Sequence, residues 1–135
     1  MKEITVQSDL KNLPGVTAFI NETLNALNCS KKTKVRLAVA IDEIIANIAM
    51  HAYGAEQGPI HIQVDYGGDP KAVVIIFSDY GKPFNPLGVS DPDVTLPLKD
   101  RPIGGLGIFM LKNSVDDIQY EYKDEQNILT IRKTI

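Results

Sequence analysis

Three short stretches of this chain carry residues that could do chemistry. In KVRLAVAIDEIIANIAMHAY, Lys34 to Tyr53, Glu43 and Asn47 stand four residues apart, so on a helix their side chains share a face and converge. A carboxylate there can take a proton, and an amide carbonyl is a hard oxygen ligand of the kind Mg²⁺ accepts. In DYGKPFNP, Asp79 directly follows the apolar run AVVIIFS. A carboxylate at a strand end can accept a hydrogen bond from the exocyclic amine of a base, and Gly81 lets the backbone approach a flat ligand closely. In RPIGGLGI, Gly104, Gly105 and Gly107 lead into a helical pattern. Glycines in that position aim backbone N–H groups and the positive end of a helix at a phosphate. Arg101 and Lys99 add positive charge for a terminal phosphate.

Each stretch also has a plainer account. A polar ridge of Arg36, Glu43, Asn47 and His51, with the small Ala40 between, is what any solvated helix face shows. Asp, Gly and Pro are ordinary turn residues. The glycines could form a tight bend, and Arg101 and Lys99 could be solvated lid residues. Neither a GxxxxGK[ST] phosphate loop nor a GxGxxG after an early strand is present. His51 reads as a helix-end polar residue, His61 takes no role, and Cys29 reads as a small residue at a helix–helix break.

The elements that must position these groups follow from periodicity. Lys2–Gln7 alternates as a strand, and Leu10 to Leu27 reads as a helix that Ser8 or Asp9 caps, with Pro14 near its start. Ser30 caps the next helix, taken as one continuous element through Tyr53, whose core face is Leu37, Ile41, Ile44, Ile48 and Ala52. Gly54 and Gly58-Pro59 end it. Ile60–Tyr66 alternates as a half-buried strand, Gly67 to Pro70 turns, and Ala72–Ser78 fits a central strand of an antiparallel hairpin. From Asp79 to Ile103 no period persists, and a loop of that length in a small domain is usually functional. Within it, Leu87 to Pro102 is expected to act as a lid. A helix over Gly104–Asn113 follows, then strands Ile118–Tyr122 and Ile128–Arg132 around a turn at Asp124–Asn127. The order β-α-α-β-β-loop-α-β-β predicts an α+β fold: a two-layer sandwich with helices on one face of a mainly antiparallel sheet.

Bulk properties narrow the function. At 135 residues the chain suits one domain, residues 1–135. Fourteen basic and 17 acidic residues give a net charge of −3 with no basic tract, which argues against a nucleic-acid groove. A lone cysteine excludes an intrachain disulfide. No apolar run suits a membrane span, and MKEITVQSDL lacks a secretion signal. The expectation is a cytoplasmic protein with no direct nucleic-acid or membrane partner.

Taken in order, DEIIANIAMHAYG, DYGKPFNP and RPIGGLGIFML resemble the N, G1 and G2 boxes of the GHKL (Bergerat-fold) ATPases. More closely, the chain resembles the short anti-sigma-factor serine kinases of the RsbW/SpoIIAB type. That resemblance implies an ATP-dependent serine/threonine kinase in which Asn47 binds Mg²⁺ and Glu43 activates the attacking hydroxyl. It implies that Asp79 holds the adenine amino group, aided by Gly81 and by Thr130 on the last strand. Arg101, Gly104, Gly105, Leu106 and Gly107 would hold phosphates. ATP and Mg²⁺ are the implied cofactors. A STAS-type anti-anti-sigma factor and a sigma factor are the implied partners, with room for a homodimer. Two departures stand out: Asn85 replaces an Asp common after Pro-Phe, and Ile103 abuts the glycines where sporulation-type members carry a basic residue. A non-catalytic nucleotide-gated adaptor and a detached ATPase domain of a signalling system are the alternatives.

Overall fold

The structure, a computed structural model, describes residues 1–54, 56–88, 109, 112, 113 and 115–135. Strand β1 spans Lys2–Gln7, helix α1 Leu13–Ala26 and helix α2 Lys31–Asn47. Strands β2 (Pro59–Gly67), β3 (Ala72–Asp79), β4 (Asp117–Lys123) and β5 (Gln126–Thr134) follow, with short helical turns at Leu10–Asn12, Ile48–Tyr53 and Pro86–Gly88. The strands form one antiparallel sheet in the order β1-β2-β3-β5-β4. This is the expected α+β arrangement.

Alternation decides which face of the sheet is covered. Ile60, Ile62 and Val64 of β2, Val73, Ile75 and Phe77 of β3, and Leu129 and Ile131 of β5 are buried. They point to one side. There they meet Val16, Ile20 and Leu24 of α1 and Leu37, Ala40, Ile41, Ile44 and Ile45 of α2. Fully burying such side chains stabilises by about 1.5–3 kcal/mol each, so this layer dominates the fold. Ala40 is fully buried here and belongs to the core, not to the polar ridge of α2. Having only a methyl group, it lets the helix sit close to its neighbours.

Capping explains where the helices begin. The Asp9 carboxylate accepts from the Lys11 backbone N–H and starts a short 3₁₀ turn, Leu10–Asn12. The expected first helix is therefore a 3₁₀ turn followed by α1, with Pro14 in the first turn, where its missing N–H costs no hydrogen bond. Ser30 caps α2 by accepting from the Thr33 N–H.

The long central helix is not uniform. Its α-helical part ends at Asn47, and Ile48–Tyr53 continues as a π-helical turn. Such a turn closes i→i+5 bonds, so it is wider than an α turn and shifts every later side chain around the axis. Nothing in the apolar period announces it, because Ile48 and Ala52 are buried as that period expects. The Gly54 N–H closes the last such bond on the Ala49 carbonyl, with Gly54 at a positive φ of 64°.

At the far end of the sheet, β4 and β5 are joined by Asp124 and Glu125 alone, both at positive φ. The turn expected over Asp124–Asn127 is therefore two residues long. Gln126 and Asn127 already belong to β5, and this moves Asn127 into the site.

Candidate functional site

Asp79 is the last residue of β3 and is 2% exposed. Its cross-strand partner on β5 is Asn127, also buried. The two meet directly: Asn127 Nδ2 donates to Asp79 Oδ1 at 2.9 Å. The Gly81 N–H donates to the same oxygen at 2.9 Å. Among the described residues no donor sits on Oδ2. Oδ2 is thus the oxygen not engaged by these two donors. Burial pushes the Asp79 carboxyl above its ordinary pKa, while the bonds from Asn127 and Gly81 pull against that shift.

The other side of Asn127 is equally occupied. Its Oδ1 accepts from the Tyr120 hydroxyl at 2.5 Å and from the Phe84 N–H at 3.0 Å. Its Nδ2 also reaches the Lys82 carbonyl at 2.9 Å and the Gly81 carbonyl at 3.4 Å. One amide thus ties β3, β4, β5 and the loop after β3 into a single network.

The end of the central helix presses on that loop. The Ala52 carbonyl, left without a helical partner, accepts from the Lys82 N–H at 2.9 Å. Tyr53 donates its hydroxyl to the Pro59 carbonyl and accepts from the Tyr80 N–H at 2.8 Å. Burial raises the pKa of this phenol, which keeps it a donor. His51 stacks on Phe84 with ring centroids 4.7 Å apart.

Gly81 is packed against the end of the central helix. A Cβ there would lie 2.6 Å from the Ala52 carbonyl carbon, oxygen and methyl group. This close approach is to the helix end, and no positive φ is involved. Gly81→Ala should therefore push the loop off the helix. The expected cost is about 1–3 kcal/mol, the usual range for overpacking, read as a lowered Tm in calorimetry. An unchanged Tm would mean that the loop yields freely.

Glu43 and Asn47 are both half-buried and lie one α-helical turn apart on α2, with Asn47 at the junction with the π turn. The helix that carries them ends on Gly81 and Lys82, so it also sets the position of the aspartate loop. Thr130 is placed differently from the expectation. It pairs with Ile76, on the face of β5 opposite to Asn127, Leu129 and Ile131, and so is not brought to Asp79. Asn127 occupies that place. Counting back by twos from the inward Leu129 and Ile131 identifies it, since an amide at an inward position must find partners. Arg101, Gly104, Gly105, Leu106 and Gly107, most of the lid stretch and all but three residues of the helix over 104–113 lie outside the described residues.

As for a metal, no cluster of three or more His, Cys, Asp or Glu side chains suited to one occurs among the described residues. The donor available is the Asn47 carbonyl, whose side chain caps nothing in its own helix. A single hard oxygen fits Mg²⁺, which retains waters and binds through one or two protein groups plus phosphate oxygens. It does not fit a structural zinc centre.

The profile of the family described as Histidine kinase-like ATPase domain matches residues 6–133. Relatives include the Serine-protein kinase RsbW of Bacillus cereus (strain AH187), 28% identical over 95 residues. The protein of the same name from Bacillus mycoides (strain KBAB4) is 30% identical over 97 residues. Both alignments cover 69% of this chain, and the chain spans 59% of the length of these relatives. No helix among the described residues is long and apolar enough to cross a membrane. With the match running from β1 to β5, the chain belongs to the Histidine kinase-like ATPase domain family.

Proposed function

We propose that this chain is an anti-sigma-factor serine protein kinase, which binds Mg-ATP, phosphorylates a STAS-type anti-anti-sigma factor and sequesters a sigma factor. One observation carries the nucleotide half. A buried carboxylate, with one oxygen held by two N–H donors, sits against the end of the helix bearing Glu43 and Asn47. A carboxylate oxygen accepts the exocyclic amine of adenine, and a 6-oxo purine would oppose it with another acceptor.

The remaining roles are those that the family resemblance implies. Asn47 would hold Mg²⁺, which when bound neutralises the phosphate oxygens. Glu43, one turn earlier, would accept the proton of the serine hydroxyl as it attacks. Arg101, Gly104, Gly105, Leu106 and Gly107 would hold the phosphates through backbone N–H groups and a cation. The kinase half is supported by two carboxyl groups of different environment, one to read the base and one to act as base. It is also supported by relatives named serine-protein kinases. A homodimer and a cytoplasmic location belong to the same reading.

The test mixes the protein with labelled ATP and a STAS-type partner recovered from the same cells, with Mg²⁺ and after chelation. Phosphoserine should form on the partner only with Mg²⁺. If ATP and partner both bind and no phosphoserine forms, the chain is a nucleotide-gated adaptor instead.

A further inference from the structure

We propose that Asn127 is the residue that makes this site selective for an adenine base, by holding Asp79 so that a single carboxylate oxygen faces the ligand. The assignment rests on reading Asp79 as the base contact and adds to it the group that orients the carboxylate. Asn127 is a positioning residue: it acts on the ligand through Asp79.

The amide can sit in only one orientation. Its oxygen faces two donors, the Tyr120 hydroxyl and the Phe84 N–H. Its nitrogen faces three acceptors: Asp79 Oδ1, the Lys82 carbonyl and the Gly81 carbonyl. Turning it over would set oxygen against three oxygens and N–H against two donors. With the amide fixed, Asp79 Oδ1 holds two donors and cannot rotate outward without breaking both. The carboxylate then offers the ligand one oriented acceptor, which matches the lone exocyclic amine of a 6-amino purine. A carboxylate free to rotate would discriminate less. Tyr120 enters as the donor that keeps the amide oxygen turned away from Asp79.

Two titratable groups bond this amide directly, Asp79 from β3 and Tyr120 from β4, and the exposed Tyr122 of β4 is its cross-strand partner. His51 stacks on Phe84, whose N–H donates to the amide oxygen.

Asn127→Asp tests the arrangement. It replaces the amide nitrogen by an oxygen 2.9 Å from Asp79 Oδ1, so the pair must share one proton to stay together. As pH rises that proton leaves and the two carboxylates repel. ATP affinity of the variant should fall about tenfold or more between about pH 6 and pH 9, while the parent stays flat. Tyr120→Phe is the gentler variant. It should retain the fold and narrow the preference for ATP over GTP by roughly 3- to 10-fold, the usual worth of one hydrogen bond. A purely structural role would weaken both nucleotides equally and leave the pH profile unchanged. Calorimetric titration of parent, Asn127→Asp and Tyr120→Phe with Mg-ATP and Mg-GTP reads all of this. Folded variants with the parent's ATP:GTP ratio and a flat profile overturn the role of Asn127. A parent that does not prefer ATP overturns the reading of Asp79 itself, and this assignment with it.

Discussion

Glu43→Gln should keep ATP and partner binding while lowering phosphoryl transfer by roughly 10²- to 10⁴-fold, the range that a general base contributes. Glutamine has the shape of glutamate and can still take part in hydrogen bonds, but it cannot accept a proton at neutral pH. In phosphoryl transfer the protein mostly positions and neutralises charge, so a base in reach of the acceptor hydroxyl is the component that a single substitution removes most cleanly. Glu43 is half-buried on α2, one turn before Asn47. A hydroxyl aligned with the terminal phosphate of a nucleotide held at Asn47 would lie within its reach. Single-turnover transfer of labelled phosphate to the partner, with nucleotide affinity measured separately, checks this. Transfer at the parent rate would place the base elsewhere.

Asp79→Asn should weaken ATP binding by roughly 10- to 150-fold, the worth of a hydrogen bond to a charged group, and should not destabilise the fold at neutral pH. The new amide must turn its oxygen toward Gly81 N–H and Asn127 Nδ2, both donors. Its own NH₂ then takes the place of Oδ2 and meets an exocyclic amine donor to donor. The preference for ATP over GTP should narrow or invert.

The stability side follows from the raised pKa. Folding raises the affinity of this carboxyl for its proton above the ordinary value of 3.8. Its stabilising contribution is therefore complete below that value and is lost as pH rises through the higher folded-state pKa. Once ionised, the buried group costs stability, and the substitution removes that cost. Thermal melts should show Asp79→Asn at or above the parent at pH 7, with the gap closing on acidification. A variant that melts well below the parent at pH 7 would mean that the charge is needed for the network itself.

Much of this architecture is legible in the residue order. Alternation in IHIQVDY and in the C-terminal strands set the sheet. The three- and four-residue steps through Leu37, Ile41 and Ile44 set the buried face of α2. Asp79 was visible as a carboxylate at the end of an apolar run. What escaped was long-range or geometric. The π turn leaves no mark on the apolar period, because Ile48 and Ala52 are buried as that period expects. Gly81 was legible as a place of close approach, but not that Ala52 makes the approach. Asn127 was hidden by a turn that looked four residues long and is two, because Asp124 and Glu125 take the positive φ usually left to Gly or Asn. The same parity that would have drawn attention to Asn127 sets Thr130 on the other face.

The pairing of Asp79 with Asn127 also has a consequence for how the molecule assembles. Strands β2 and β3 form a local hairpin and can pair early, whereas Asp79 meets Asn127 across 48 residues of chain. Loop closure of that length must be overcome before its contacts contribute, so the docking of the β4–β5 hairpin belongs to the slower part of folding. Until that hairpin docks, the carboxylate lacks the amide that orients it. A ligand that needs the completed pair binds only the fully docked chain and draws the population toward it by mass action. Nucleotide concentration would then govern how long the C-terminal hairpin stays in place, and so how exposed the edge of β3 is to proteases and to pairing with other chains.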